Sequence, residues 1–265
     1  HINKLMNTAG QRTNTADDIV LAPWNDEKVL EEILKAQSDE IAAVLMEPYM
    51  CDEGPILAHE GYLQAVKDMC EKYNVLLIFD EVITGFRLQL GGAQQYFGVT
   101  PDLAIFGKAI AAGFSLSMIC GKKEYMEKVH PSGTFNATPI AVAASLATIA
   151  ELEKPGTYEK MDELGKKLTD GIMELGKKHG LKTYANHHNG ICQMQIGIDR
   201  APTDFRDCLE NVDKESYDKL FLLARDYGVR LTSARGRIYI STAHTEEDID
   251  KTLEIFDFIF PMLKK

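Results

Sequence analysis

The stretch Val75-Leu-Leu-Ile-Phe-Asp80-Glu81-Val82 ends an apolar run on a carboxylate, and 28 residues later Asp102-Leu-Ala-Ile-Phe-Gly-Lys108 ends another on an amine. Both runs are short, apolar and bounded by polar residues, the pattern of strands buried within a parallel sheet. Side by side, they would set Asp80 and Lys108 at neighbouring carboxyl ends, the edge at which open parallel sheets bind ligands.

Outward from this pair, short apolar runs alternate with amphipathic stretches. Asp18-Ile-Val-Leu-Ala-Pro23 reads as a strand, Asp26 to Ala36 as a helix and Ile41 to Pro48 as a strand. A helix from about Glu60 to Tyr73 precedes the Asp80 strand, and a short one carrying Gln94 to Phe97 precedes the Lys108 strand. Leu116 to Gly121 reads as a further strand, followed by a helix with Tyr125, Met126 and Val129. This alternation predicts an α/β domain with a mainly parallel sheet.

After an alanine-rich helix from Pro139 to about Leu152 the character changes. A lysine- and glutamate-laced helix (Glu159 to His179) leads into an alternating strand (Ile191 to Ile196). A helix (Glu215 to Tyr227), a strand (Arg237 to Ser241) and a final helix (Glu246 to Phe260) follow. These form an α+β unit, so the expected boundary lies near residue 150, with a large domain over 1–150 and a small one over 151–265.

In 265 residues, 40 Asp and Glu against 29 Lys and Arg give a net charge of −11, which argues against nucleic acid or an anionic membrane as partner. No apolar run reaches the roughly 18 residues of a membrane span. Five cysteines, odd in number and without a CxxC pair, suggest neither a disulfide framework nor a zinc site, and fit a reducing cytoplasm.

A carboxylate and an amine at adjacent strand ends are what a pyridoxal phosphate site needs: the amine for the aldehyde, the carboxylate for the ring nitrogen. Asp80 equally suits a helix cap or ion pair, and Lys108 a solvated strand end; the apolar run before Lys108 would desolvate its amine. Val82 falls on the same side of the strand as Asp80 and would pack against a flat ring. Gly133-Thr134 is expected to open the alanine helix, offering a hydroxyl and free N–H groups to a phosphate, or a plain N-cap.

Glu47, with Asp52 and Glu53 in the next loop, places more carboxylates at the same edge, where they would contact substrate or only cap the loop; Glu47 is a candidate for substrate binding. Arg235 and Arg237 suit two-point recognition of a substrate carboxylate, and equally a solvated surface pair. His244 reads as an anchor for the last helix, with Thr245 as its N-cap. His187 and His188 would point apart on a strand, so no metal is assigned.

Taken in order, six segments resemble the class III pyridoxal-phosphate aminotransferases, most of all the glutamate-1-semialdehyde aminomutase-like branch. They are Leu45-Met-Glu47-Pro48, Leu77 to Arg87, Tyr96-Phe-Gly-Val-Thr-Pro-Asp102, Phe106-Gly-Lys108, Gly133-Thr-Phe135 and Ser241 to Ile249. The resemblance spans essentially the whole chain. It implies the type I aminotransferase fold, here an incomplete large α/β domain followed by a small C-terminal domain. It also implies Lys108 as the Schiff-base lysine, Asp80 as partner of the ring nitrogen and Val82 behind the ring. Thr134 would hold the cofactor phosphate across a homodimer interface, and the substrates would be an amino donor and a keto or aldehyde acceptor.

The departures are specific. Family members carry a region before the point where this chain starts, with a phosphate-cupping loop and an aromatic residue that stacks on the ring. Two sheet strands are accordingly expected to be absent. The connection from Lys128 to Thr134 is shorter than in the aminomutase. Arg235-Gly236-Arg237 stands where the aminomutase has an acidic residue, which favours a substrate bearing a carboxylate. Three readings stay open: an aminotransferase, an aminomutase or racemase, and a non-catalytic fragment or subunit that needs a partner chain.

Overall fold

The computed structural model describes residues 15–51, 56–130, 132–232 and 236–263. Four strands form one sheet in chain order: β1 (Ala43–Met46), β2 (Leu76–Asp80), β3 (Leu103–Phe106) and β4 (Met118–Gly121). The first three are parallel and β4 is antiparallel to β3. The linking helices are α1 (Glu27–Gln37) before β1, α2 (Tyr62–Lys72) before β2, and α3 (Gly92–Phe97) before β3. A single turn, α4 (Lys123–Met126), follows β4, and then comes α5 (Pro139–Leu152).

The remaining elements are α6 (Thr157–His179), β5 (Thr183–His188), β6 (Ile191–Ile196), α7 (Phe205–Asn211), α8 (Lys214–Asp226), β7 (Arg237–Tyr239) and α9 (Glu246–Ile259). Strands β5, β6 and β7 pair antiparallel, with β6 in the middle.

Helical periodicity explains which faces are covered. In α2, Tyr62, Leu63, Val66, Met69 and Cys70 recur at helical spacing and meet Leu30 and Leu34 of α1 over Leu77 and Phe79 of β2. Each such side chain taken from water contributes about 1.5–3 kcal/mol. The opposite face of this sheet is open: Leu45 is 62% exposed and Ile119 57%. Asp102 binds three strands together, accepting from Leu77 N–H at 2.8 Å and pairing with Lys122 at 2.6 Å, while its carbonyl accepts from Lys122 N–H.

The second sheet is closed. Helix α6 buries Met161, Leu164, Leu168 and Ile172 against β5 and β6. Gly165 and Gly176 let it lie close, since a Cβ at Gly176 would stand 2.7 Å from that of Thr183. Helices α8 and α9 complete this core with Leu220, Phe256 and Ile259, and Thr245 caps α9 in a reciprocal capping box with Asp248.

Three local expectations change. Ile19, Val20 and Leu21 form no strand; a 3₁₀ turn at Thr15–Asp18 precedes them, and all three are exposed, with no strand paired to them among the described residues. Strand β6 does not alternate in exposure: Cys192, Met194 and Ile196 lie in the α6 core, while Ile191 packs with Tyr49 and Leu88 and Gln195 meets Cys208 of α7, so Gln193 and Gln195 are buried as well. Strand β5 and helix α7 are elements that the apolar pattern missed.

Candidate active site

Strand β2 ends at Asp80, which stands opposite Ile105 of β3 in parallel register. The chain then turns sharply: Asp80 Oδ1 accepts from Val82 N–H at 2.9 Å, and Glu81 carbonyl accepts from Gly85 N–H. Asp80 is half-buried. Val82 stands beside Gly107, where a Cβ would meet it at 3.5 Å. The carboxylate, the branched side chain and the segment leading to Lys108 therefore share one edge of the sheet.

Lys108 differs from its sequence reading in two ways. Strand β3 stops at Phe106, so Lys108 opens a 3₁₀ turn, Lys108–Ala111, with φ +46° at the lysine. It is exposed, not buried, and has no ion-pair partner among the described residues. A left-handed φ on a residue with a side chain costs of order 1–3 kcal/mol and persists where surrounding packing imposes it. Ile110 and Ala111, buried against Phe106, supply that packing.

Thr134 does not open α5. It lies in an exposed turn over residues 134–137, and the helix starts five residues later at Pro139 with Thr138 before it. Pro139 sets the start because proline is favoured in the first helical turn. Glu47 Oε2 accepts from Cys51 N–H at 2.9 Å and so closes its own loop. Asp52, Glu53 and Arg235 lie outside the described residues. Arg237 belongs to the second sheet, paired with Gln193. His187 and His188 do point apart, the first to Thr169 and Asp162, the second to Tyr96. His244 accepts from Ser241 N–H at 3.0 Å and anchors the turn before α9.

Two residues acquire a place that the sequence did not reveal. Glu81 is fully buried, its carboxylate enclosed by donors from Thr84, Ala93 and Gln94. Arg87 joins the two sheets: its guanidinium donates to Ile240 carbonyl at 3.2 Å and lies 4.7 Å from the Tyr239 ring centre. Burial lowers the Arg87 pKa. Tyr158 from α6 returns the contact by donating to Phe86 carbonyl at 3.1 Å. The loop after Asp80 thus touches both the Lys108 turn and the second sheet.

The residues present suit pyridoxal phosphate at its ring and aldehyde ends. One Asp80 oxygen is used by Val82 and the other has no hydrogen-bond partner among the described residues, while the Lys108 amine is accessible and unpaired.

Residues 6–259 match the family model "Aminotransferase class-III". The chain belongs to this family. Among class III relatives, a glutamate-1-semialdehyde 2,1-aminomutase from Methanothrix thermoacetophila is 39% identical over 255 residues, which are 93% of this chain and 58% of that protein. An omega-transaminase structure from Sphaerobacter thermophilus superposes with TM-score 0.90 at 25% identity, covering 98% of this chain and 60% of that one. A glutamate-1-semialdehyde-aminomutase structure from Pseudomonas aeruginosa PAO1 in complex with PMP has TM-score 0.84 at 22% identity, with 92% and 57% covered. The fold is that of the type I, class III aminotransferases. The chain spans less than two thirds of the length of each of these relatives.

Proposed function

We propose that this chain carries the catalytic lysine and ring-nitrogen partner of a pyridoxal-phosphate-dependent aminotransferase, moving an amino group from an amine donor to a keto or aldehyde acceptor. The observation that carries the reading is the parallel register of β2 and β3, which sets Asp80 and the turn bearing Lys108 at one sheet edge beside Val82. The bound cofactor supplies an aldehyde and an electron-accepting ring. Lys108 would offer its unpaired amine to that aldehyde and would move a proton between the two carbons that flank the transferred nitrogen. Asp80 offers a carboxylate oxygen to a ring N–H and keeps that proton in place. Val82 gives the ring an apolar wall, and Thr134, on its exposed turn, offers a hydroxyl to a phosphate.

The separate cores of the two sheets support a large domain over 1–150 and a small one over 151–265. A homodimer with a shared site is part of the reading, as is cytoplasmic placement; among the described residues no helix is long and apolar enough to cross a membrane. The exposed turn at Thr134 and the apolar α5, with Ile140 and Leu146 each 65% exposed, favour an interface there.

Sodium borohydride added with pyridoxal phosphate should trap a covalent pyridoxyl adduct on Lys108, read by peptide mass, and Lys108→Ala should abolish it. An undiminished adduct in that variant refutes the assignment. The 39% identity to an aminomutase supports a second reading, amino transfer within one molecule. Turnover without any separate keto acid favours it. The open sheet face at Leu45 and Ile119 favours a third, in which polypeptide beyond the described residues completes the site. An adduct formed only after such a polypeptide is added supports that one.

A further inference from the structure

We propose that Glu81 is a positioning residue: its buried carboxylate fixes the turn after β2 and, through it, the placement of Asp80 and Val82 relative to Lys108. The proposal rests on the cofactor reading above. A carboxylate with no exposed surface is costly unless its oxygens are met by donors. Here each oxygen receives two. Oε2 accepts from Ala93 N–H at 2.6 Å and Thr84 Oγ1 at 3.0 Å; Oε1 accepts from Gln94 N–H at 3.2 Å and Gln94 Nε2 at 3.0 Å.

These bonds draw the two ends of the loop between Asp80 and α3 onto one point. Gly92 is part of the arrangement: its φ is +68°, and a Cβ there would collide with the Glu81 carboxylate. Asp80 and Val82 are the residues on either side of Glu81, and Val82 N–H donates to Asp80 Oδ1 at 2.9 Å, so the turn that Glu81 pins carries both. The backbone of Glu81 is held as well, its N–H donating to Ile105 carbonyl of β3 at 2.9 Å.

The pinned loop bears directly on the lysine turn. The Phe86 ring lies 5.7 Å from that of Phe106, the last residue of β3, and Gly85 leaves no room for a side chain beneath the Phe106 ring. Phe106, Ile110 and Ala111 form one buried cluster with Phe86 packed on it. The path from Glu81 to Lys108 is therefore continuous: carboxylate, loop, Phe86, Phe106, turn.

The test compares Glu81→Gln and Gln94→Ala with the wild-type protein. An amide at position 81 sets its NH₂ against at least one backbone N–H that now meets an oxygen, whereas Gln94→Ala removes one donor and keeps the charge. Amide hydrogen exchange without cofactor should accelerate about tenfold or more in Glu81→Gln at Val82, at Gly85 and across 107–111, with β6 unchanged. Gln94→Ala should shift the same amides less. A folded Glu81→Gln protein with unaltered exchange at 107–111 overturns the proposal. If β6 also loosens in Glu81→Gln, Gln94→Ala decides by the same criterion.

With pyridoxal phosphate added, the pH titration of its protein-bound visible band should move by about one unit in Glu81→Gln. A band that titrates as in wild type overturns the positioning role and leaves a purely structural one. If the wild-type chain alone shows no band, it does not hold the cofactor by itself, and the exchange at 107–111 still decides whether Glu81 couples the two strand ends.

Discussion

The two sheets of this chain solve the same packing problem differently. Strand β6 is buried at every residue, with α6, α8 and α9 closing a core around it. The parallel sheet covers one face with α1 and α2 and leaves Leu45 and Ile119 open on the other. The candidate chemistry lies on the sheet with the open face. A site that admits other molecules needs accessible, unspent hydrogen-bonding capacity, and the Asp80 edge keeps it.

The contrast can be broken by substitution. Phe256→Ala, in the closed core, should cost about 3–5 kcal/mol by urea unfolding and should strip exchange protection from α6 and β6 while β1–β3 keep theirs. Equal loss in both sheets would show that they unfold as one unit. A smaller effect concerns the seam between them, where His188 packs edge-on to Tyr49 at 5.3 Å and meets Tyr96.

Burial, aided by neighbouring His187 and opposed by Asp162, lowers the His188 pKa to about 4. The unfolded chain takes up that proton near pH 6.5, so stability present above pH 6.5 is lost as pH falls through about 4. The loss should be on the order of 3 kcal/mol. Urea midpoints at pH 7.5 and 4 should differ less in His188→Gln than in wild type; an identical difference refutes the assignment.

Thr245→Ala removes the cap of α9 and should cost about 1 kcal/mol, read as a lower thermal midpoint. Smallest of all, Leu45→Ala on the open face should stay within about 0.5 kcal/mol. A loss of about 2 kcal/mol there would mean that the face is covered in solution, and the contrast between the sheets would disappear.

What the sequence made legible follows from the kind of signal each element carries. Strands β2 and β3 and helices α5, α6 and α9 announce themselves by apolar runs or helical spacing. Strand β5 does not, because Thr-Tyr-Ala-Asn-His-His is polar and is held by pairing with β6. Ile19 to Leu21 failed in the opposite sense: an apolar, β-branched run becomes a strand only where a neighbour offers backbone partners.

At the site, Asp80 was legible from its position at the end of an apolar run. The exposed left-handed turn at Lys108 and the displacement of Thr134 from α5 depend on tertiary packing that spacing does not encode. Glu81 was overlooked because it sits beside a more conspicuous acid; the Gly91-Gly92 pair ten residues on was the signal available.

The order of the first sheet has a consequence for how the protein is made. Its strands lie side by side in the sequence in which they are synthesised, β1 to β4. Each new strand can join the edge left by the one before as the chain leaves the ribosome, without waiting for a distant partner. The strand ends that carry Asp80 and Lys108 come to one edge as soon as β3 docks on β2, before any residue of the second sheet has been translated.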